Sequence, residues 1–219
     1  MTRKILIINW QDRLNPFFGG AEVHLHEIYG RLARRDDYEV TLLCASFPGS
    51  LSEEALDGIR VLRSDGNRNT FNYRVKKEYQ KLIDSGEKFD LIIEDMNKMP
   101  FMAPKWADVP VIAQVHHFFG KTIWLEFPWY LFPFPLYVMW GEKRALNLYA
   151  KEGTPIISVS ESTAKDIVSK GVNADNISII YNGIFTEVFH PDDSVPRFET
   201  PTIVYLGRIK TYKRVDVII

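Results

Sequence analysis

Short apolar runs punctuate the chain at Lys4–Ile8, Glu39–Leu43, Ile59–Leu62, Asp90–Glu94, Val111–Val115, Ile156–Val159 and Ile177–Tyr181. Most are apolar on successive residues instead of alternate ones. That is the pattern of strands covered on both faces, as in a parallel sheet held between layers of helices. Amphipathic stretches separate them, at about Ala21–Arg34, Tyr73–Ser85, Tyr137–Lys151 and Glu161–Lys170, and in the first of these Val23, Leu25, Ile28 and Leu32 mark the core face. Strand and helix therefore alternate, which predicts an α/β domain built on a doubly wound, mostly parallel sheet. Ligands of such sheets gather beyond the carboxyl ends of the strands, so the loops after residues 8, 94, 115 and 159 are where chemistry is expected.

The pattern breaks at His190–Pro201, HPDDSVPRFETP, a polar and proline-rich segment without periodicity that reads as a linker. Residues 1–190 then form one domain. Residues 191–219 hold the linker and the opening of a second domain: a strand at Thr202–Leu206, the loop GRIKTYKR, and VDVII as the start of a helix. A βα unit without its return strand leaves an apolar face uncovered, so the second domain is expected to be cut short.

Composition narrows the classes. With 46% hydrophobic and 25% charged residues the 219-residue chain can bury a core, and its 27 basic and 28 acidic residues nearly cancel. No nucleic-acid partner is expected from that balance. Cys44 stands alone, which excludes a disulfide framework and fits a reducing cytosol. The opening MTRKILIIN is too short in apolar residues for a signal peptide. Phe127–Trp140 is the longest charge-free apolar run, yet its 14 residues carry three prolines and fall short of the roughly 20 a membrane-spanning helix needs. A cytoplasmic protein is expected, with contact at the inner face of the membrane left open.

The loop after the first strand ends in Phe18-Gly19-Gly20-Ala21-Glu22 at the start of a helix. Two glycines there let an anion approach exposed backbone N–H groups at the positive end of the helix dipole, so a phosphate site and a plain tight turn both stand as readings. The G-x-G-x-x-G fingerprint is absent, because Asn9-Trp10-Gln11-Asp12 follows the strand, and this disfavours a nicotinamide dehydrogenase. Val115-His116-His117 ends another strand. Adjacent side chains on an extended segment point oppositely, so the two imidazoles cannot chelate one metal, and no metal is expected. Either can donate to a substrate hydroxyl or phosphate, His116 being favoured. Ser160 is placed as the N-cap of the next helix, a role that accounts for it without a ligand. Arg208 and Lys213 sit in a strand-to-helix loop, where they suit a diphosphate, one by forked hydrogen bonds and one as a point charge.

Phe118–Trp140 holds ten aromatics and three prolines. Prolines at 128, 133 and 135 are expected to forbid a regular helix across its middle. Its rings, among them Trp124, Trp129, Tyr130 and Phe132, suit an acceptor groove or a membrane interface, and equally a loop folded over the sheet.

In order, GGAE (19–22), EDMNKMPF (94–101), VHH (115–117), SVSESTAKD (158–166), YNGIFTEVFHP (181–191) and GRIKTYKRVD (207–216) together resemble the retaining GT-B glycosyltransferases of family 4 across nearly the whole chain. The resemblance implies a Rossmann-like amino-terminal domain and a sugar moved from a UDP- or GDP-type nucleotide sugar to a hydroxyl acceptor, with no cofactor beyond that co-substrate; a lipid-linked or cell-surface glycan acceptor is left open. It implies that Gly19 and Gly20 approach the donor diphosphate, that His116 reaches the donor sugar, and that Arg208 and Lys213 clamp the phosphates. Glu22, Asn97, Ser160, Asn182 and Gly183 fall in matching motifs as candidate substrate-binding positions. His117 stands where many members have Asp, which leaves open which imidazole acts. The family's glutamate pair, seven residues apart in the second domain, would lie after Ile219, so residues 1–219 alone are expected to be inactive. A non-catalytic sugar- or lipid-binding module and a sugar-nucleotide 2-epimerase are the alternatives.

Overall fold

The computed structural model describes residues 2–218 except 67, 97, 98, 128, 208 and 210; the side chains of Arg68, Lys121, Trp129 and Tyr212 also lie outside the description. Its elements are β1 (Arg3–Ile8), α1 (Gly20–Ala33), β2 (Tyr38–Ala45), β3 (Glu53–Leu56), β4 (Ile59–Ser64), α2 (Phe71–Asp84), β5 (Leu91–Met96), β6 (Val111–Val115), α3 (Pro133–Glu152), β7 (Ile156–Ser158), α4 (Glu161–Ser169) and β8 (Ile177–Ile179). The strands form one sheet in the order β3-β4-β2-β1-β5-β6-β7-β8. All neighbours pair in parallel except β3 and β4. The chain winds outward from β1 to one edge and returns to β5, on the other side of β1, before winding to the opposite edge. Loops leaving β1 and β5 therefore diverge, and the crevice between them opens at the carboxyl rim.

Successive apolar residues serve both faces, as the sequence pattern requires. Leu6 and Ile8 pack with Phe71, Val75 and Tyr79 of α2 and Val138 of α3. Ile5 and Ile7 pack with Leu25 and Tyr29 of α1. A third cluster joins Ala113 and Val115 of β6 to Leu146 and Tyr149 of α3 and Ile167 of α4.

One strand, β3, was not anticipated, and three local expectations need correction. β3 is an antiparallel edge strand whose sequence EEAL gives no apolar run; it is held by its ladder to β4. On α1 the buried residues are Glu22, Leu25, His26, Tyr29 and Gly30, whereas Val23 and Ile28 are 41% and 38% exposed, because polar partners draw Glu22 and His26 inward. The prolines at 133 and 135 begin α3 instead of preventing it. In a first turn their missing N–H groups would have had no intrahelical acceptor. Thr202–Leu206 forms no strand: it has no ladder partner among the described residues, and Ile203 and Leu206 are 80% and 92% exposed.

Candidate active site

The loop from β1 to α1 is fixed by buried polar side chains. Asn9 Nδ2 donates to the Gln11 carbonyl at 3.1 Å, and Gln11 Nε2 donates to the Phe17 carbonyl at 2.9 Å. Asp12 accepts from the Leu14 amide at 2.8 Å, from Arg63 Nε at 2.6 Å and from the Cys44 thiol at 3.5 Å. Burial alone would raise the Asp12 carboxyl, but Arg63 and the Leu14 amide overcome it and hold the group below the usual carboxylate range. Cys44 is buried and its thiol is raised well above the ordinary value, so it stays an unreactive SH. This scaffold delivers Gly19 as the residue preceding α1, where its N–H donates to Glu22 Oε2 at 2.6 Å while Asn9 Nδ2 reaches Glu22 Oε1 at 3.4 Å. Glu22 thus caps its own helix. Gly20 is exposed, and a Cβ built on it meets nothing within 4 Å. The amino end of α1 therefore lies open at the carboxyl rim, with its dipole directed outward.

Beside it, β5 and β6 bring together a cluster that no single motif announces. His116 Nε2 donates to Asp95 Oδ1 at 2.8 Å; the imidazole is 9% exposed and the carboxylate not at all. Gln114 Nε2 donates to the same oxygen at 3.1 Å, and Gln114 Oε1 accepts from the buried Tyr29 hydroxyl at 2.8 Å. His24, on α1, meets the His116 ring edge-on at 5.1 Å. Burial pulls the His116 pKa down, but the charge and hydrogen bond of Asp95, helped by Glu22, overcome it and leave the group raised above 6.5. His24 is lowered, by burial first and by the charge of His116 second. His117 faces outward and is also lowered, through desolvation, then His116, then Lys213. Residues 211–213 contact residues 120–125, which sets Lys213 near the segment that follows His117.

Two further buried carboxylates hold the surrounding loops. Glu94 accepts from the amides of Phe101, Met102 and Ala103 at 2.7, 3.0 and 2.7 Å and from the Tyr149 hydroxyl at 2.8 Å. Glu142, on α3, accepts from the amides of Phe119 and Gly120 at 2.7 and 3.1 Å and so pins the segment after His117. Burial raises both carboxyls against the lowering effect of these amides.

The other candidates are placed as follows. Ser160 Oγ accepts from the Thr163 amide at 3.2 Å, the N-cap expected of it, and Thr163 Oγ1 donates to the His116 carbonyl at 3.4 Å, which sets α4 against the same rim. Asn182 and Gly183 are exposed in the coil after β8. Trp124, Tyr130 and Phe132 are 39%, 66% and 60% exposed, and the Trp124 and Phe132 rings lie 5.6 Å apart. Arg208, Asn97 and the Trp129 side chain are outside the description. Among the described residues no three His, Cys, Asp or Glu side chains form a metal-holding group, and no helix is long and apolar enough to cross a membrane. A groove of about 850 Å³ runs along the α1 face of the sheet and touches this cluster at His24, Tyr29 and Gln114.

The family model for Glycosyltransferase Family 4 matches residues 18–188, from the residue before Gly19 to the coil beyond β8. The chain belongs to glycosyltransferase family 4. Among solved structures, Anabaena Alr3699/HepE in complex with UDP-glucose superposes with a TM-score of 0.54 at 19% identity, covering 87% of this chain and 47% of that one. The same protein in complex with UDP and glucose gives 0.55 at 20%, covering 88% and 48%. This family 4 chain thus spans about half the length of the structures it matches, and the likeness shows a shared GT-B-type fold. No curated protein matches the sequence. Asp95, Gln114, Tyr29 and His24 are the site residues that the motifs did not single out. Their signal lay in polar residues inside otherwise apolar strands, Asp95 in LIIEDM and Gln114 in VIAQV.

Proposed function

We propose that this family 4 chain is the amino-terminal half of a retaining glycosyltransferase that moves a sugar from a UDP- or GDP-type nucleotide sugar to a hydroxyl acceptor, a second lobe following residue 190. The observation that carries the reading is the open, glycine-flanked amino end of α1 beside His116 at the carboxyl rim, within the field of Lys213. In transfer, the bond from sugar C1 to the diphosphate breaks, an acceptor oxygen bonds to C1 on the same face, and the acceptor's hydroxyl proton passes to the departing diphosphate. The charge that builds on the departing diphosphate meets the α1 dipole and Lys213, with Arg208 in the same loop as a further cation. His116 contacts the donor sugar. The HepE complexes with UDP and UDP-glucose support a nucleotide-sugar donor by analogy of fold. The exposed rings of Trp124, Tyr130 and Phe132 support an acceptor or membrane contact on the neighbouring face, consistent with a lipid-linked acceptor handled at the cytoplasmic surface of a membrane.

The test is a radiolabelled nucleotide-sugar assay on the full-length protein, with the anomeric configuration of the product read by NMR. Transfer with retained configuration is expected, and residues 1–219 alone are expected to give none. Absence of transfer from every nucleotide sugar to every class of hydroxyl acceptor would remove the reading.

A further inference from the structure

We infer that Asp95 is a positioning residue for His116: it commits Nε2 to the protein interior and leaves Nδ1 as the nitrogen offered to the donor. The inference rests on the transferase reading for its functional half only, since the orientation itself is a property of this chain.

Asp95 is fully buried, and Oδ1 receives both the His116 Nε2 proton and the Gln114 amide. A buried carboxylate with acceptors only requires donors, so the nitrogen facing it must carry a proton in either charge state of the ring. Gln114 cannot turn its amide to replace His116, because its own oxygen is held by the Tyr29 hydroxyl. The ring is also held from the side by the edge of His24, on α1. The groups facing it are Asp95 from β5, Gln114 and His117 from its own strand and segment, and Glu22 and His24 from α1, with Tyr29 of α1 bonded to Gln114; Lys213 acts on its neighbour His117. Two of these carry negative charge close by, so the protonated ring is favoured, and its Nδ1–H becomes a charge-assisted donor toward a sugar hydroxyl or a phosphate oxygen. Without Asp95 both nitrogens are free to exchange roles and the ring to rotate.

The experiment has two readouts. Histidine ¹⁵N–¹H correlation spectra of this chain across pH report the tautomer and pKa of His116. In the wild type the neutral ring is expected as the Nε2–H tautomer with a pKa above 6.5, and in Asp95→Asn the pKa is expected to fall by a unit or more. A wild-type Nδ1–H tautomer, or a titration unmoved by the substitution, would overturn the inference, and the wild-type measurement stands even if the variant folds poorly. In the full-length protein, Asp95→Asn is expected to lower kcat by about 10- to 100-fold at a pH lying between the His116 pKa values that the spectra give for wild type and variant, corresponding to loss of one charge-assisted hydrogen bond. Part of this loss should be recovered at lower pH, where His116 protonates again, with the acceptor KM unchanged. A uniform loss at all pH values would assign Asp95 a role in folding instead. Inactive wild type with the expected spectra would refute the transferase reading and leave the positioning intact.

Discussion

Arg63 gives the sharpest test of how the rim is built. Its side chain is wholly buried, bonded through Nε to Asp12 at 2.6 Å and through Nη1 to the Leu51 carbonyl at 2.9 Å and to Glu54, with its guanidinium over the Phe47 ring at 5.3 Å. Arg63→Met keeps most of the volume and strands a carboxylate, Asp12, that is also fully buried. Removing one partner of such a pair costs about 3–5 kcal/mol, because the uncompensated charge stays in place. The urea midpoint should fall accordingly, and Tm by roughly 10 °C for a domain of this size. The sign of the pH dependence follows from Asp12. A carboxyl held low in the folded state adds stability above its unfolded pKa of about 4, and that stability is lost as pH falls through the folded value. The variant lacks this term, so its deficit should be largest near pH 7 and narrow below about pH 4. The double variant Arg63→Met with Asp12→Leu should be more stable than the single one. A loss under about 1 kcal/mol, or one that grows in acid, would show that the pair does not hold the β1–α1 loop as described.

Four further outcomes follow. Gly20→Ala meets no atom within 4 Å, so stability should hold or rise by roughly 0.5–1 kcal/mol while nucleotide-sugar affinity in the full-length protein drops about tenfold; unchanged affinity by calorimetry would contradict the phosphate role. Ser160→Ala should cost about 1 kcal/mol in chemical denaturation through loss of the α4 cap and leave donor binding intact. His116 is raised in the folded state, so its contribution is complete below pH 6.5 and fades as pH rises through the folded value; the stability gap between wild type and Asp95→Asn should therefore be wider at pH 6 than at pH 9. Replacing Trp124 and Phe132 by Ser should reduce flotation with anionic vesicles if the exposed rings meet a membrane, and equal flotation would confine them to the acceptor or the sheet.

Most strands were legible because burial on both faces forces an unbroken apolar run; the run at Ile177 also became a strand, β8, although Ile179 there is exposed. β3 was not, since an edge ladder selects backbone pairing and leaves EEAL without an apolar signature. The core face of α1 was misjudged at Val23 and Ile28 for a related reason: hydropathy counts Glu22 and His26 as surface residues, whereas Asn9 and Asp57 satisfy them in the interior. Pro133 and Pro135 read as breakers until their position in a first turn was known. At the site, Gly19, Gly20 and His116 were visible as local motifs. The Asp95–Gln114–Tyr29 network was not, because its members lie 19 and 85 residues apart and meet only through sheet register and helix packing.

The most direct test is a crystal structure of the full-length protein with a nucleotide sugar or nucleoside diphosphate bound. The expected result places the diphosphate at the amino end of α1, an oxygen within hydrogen-bond reach of the Gly20 or Ala21 amide, with Nδ1 of His116 facing the sugar or phosphate and Nε2 still on Asp95. A diphosphate bound elsewhere, with the start of α1 left to solvent, would contradict it.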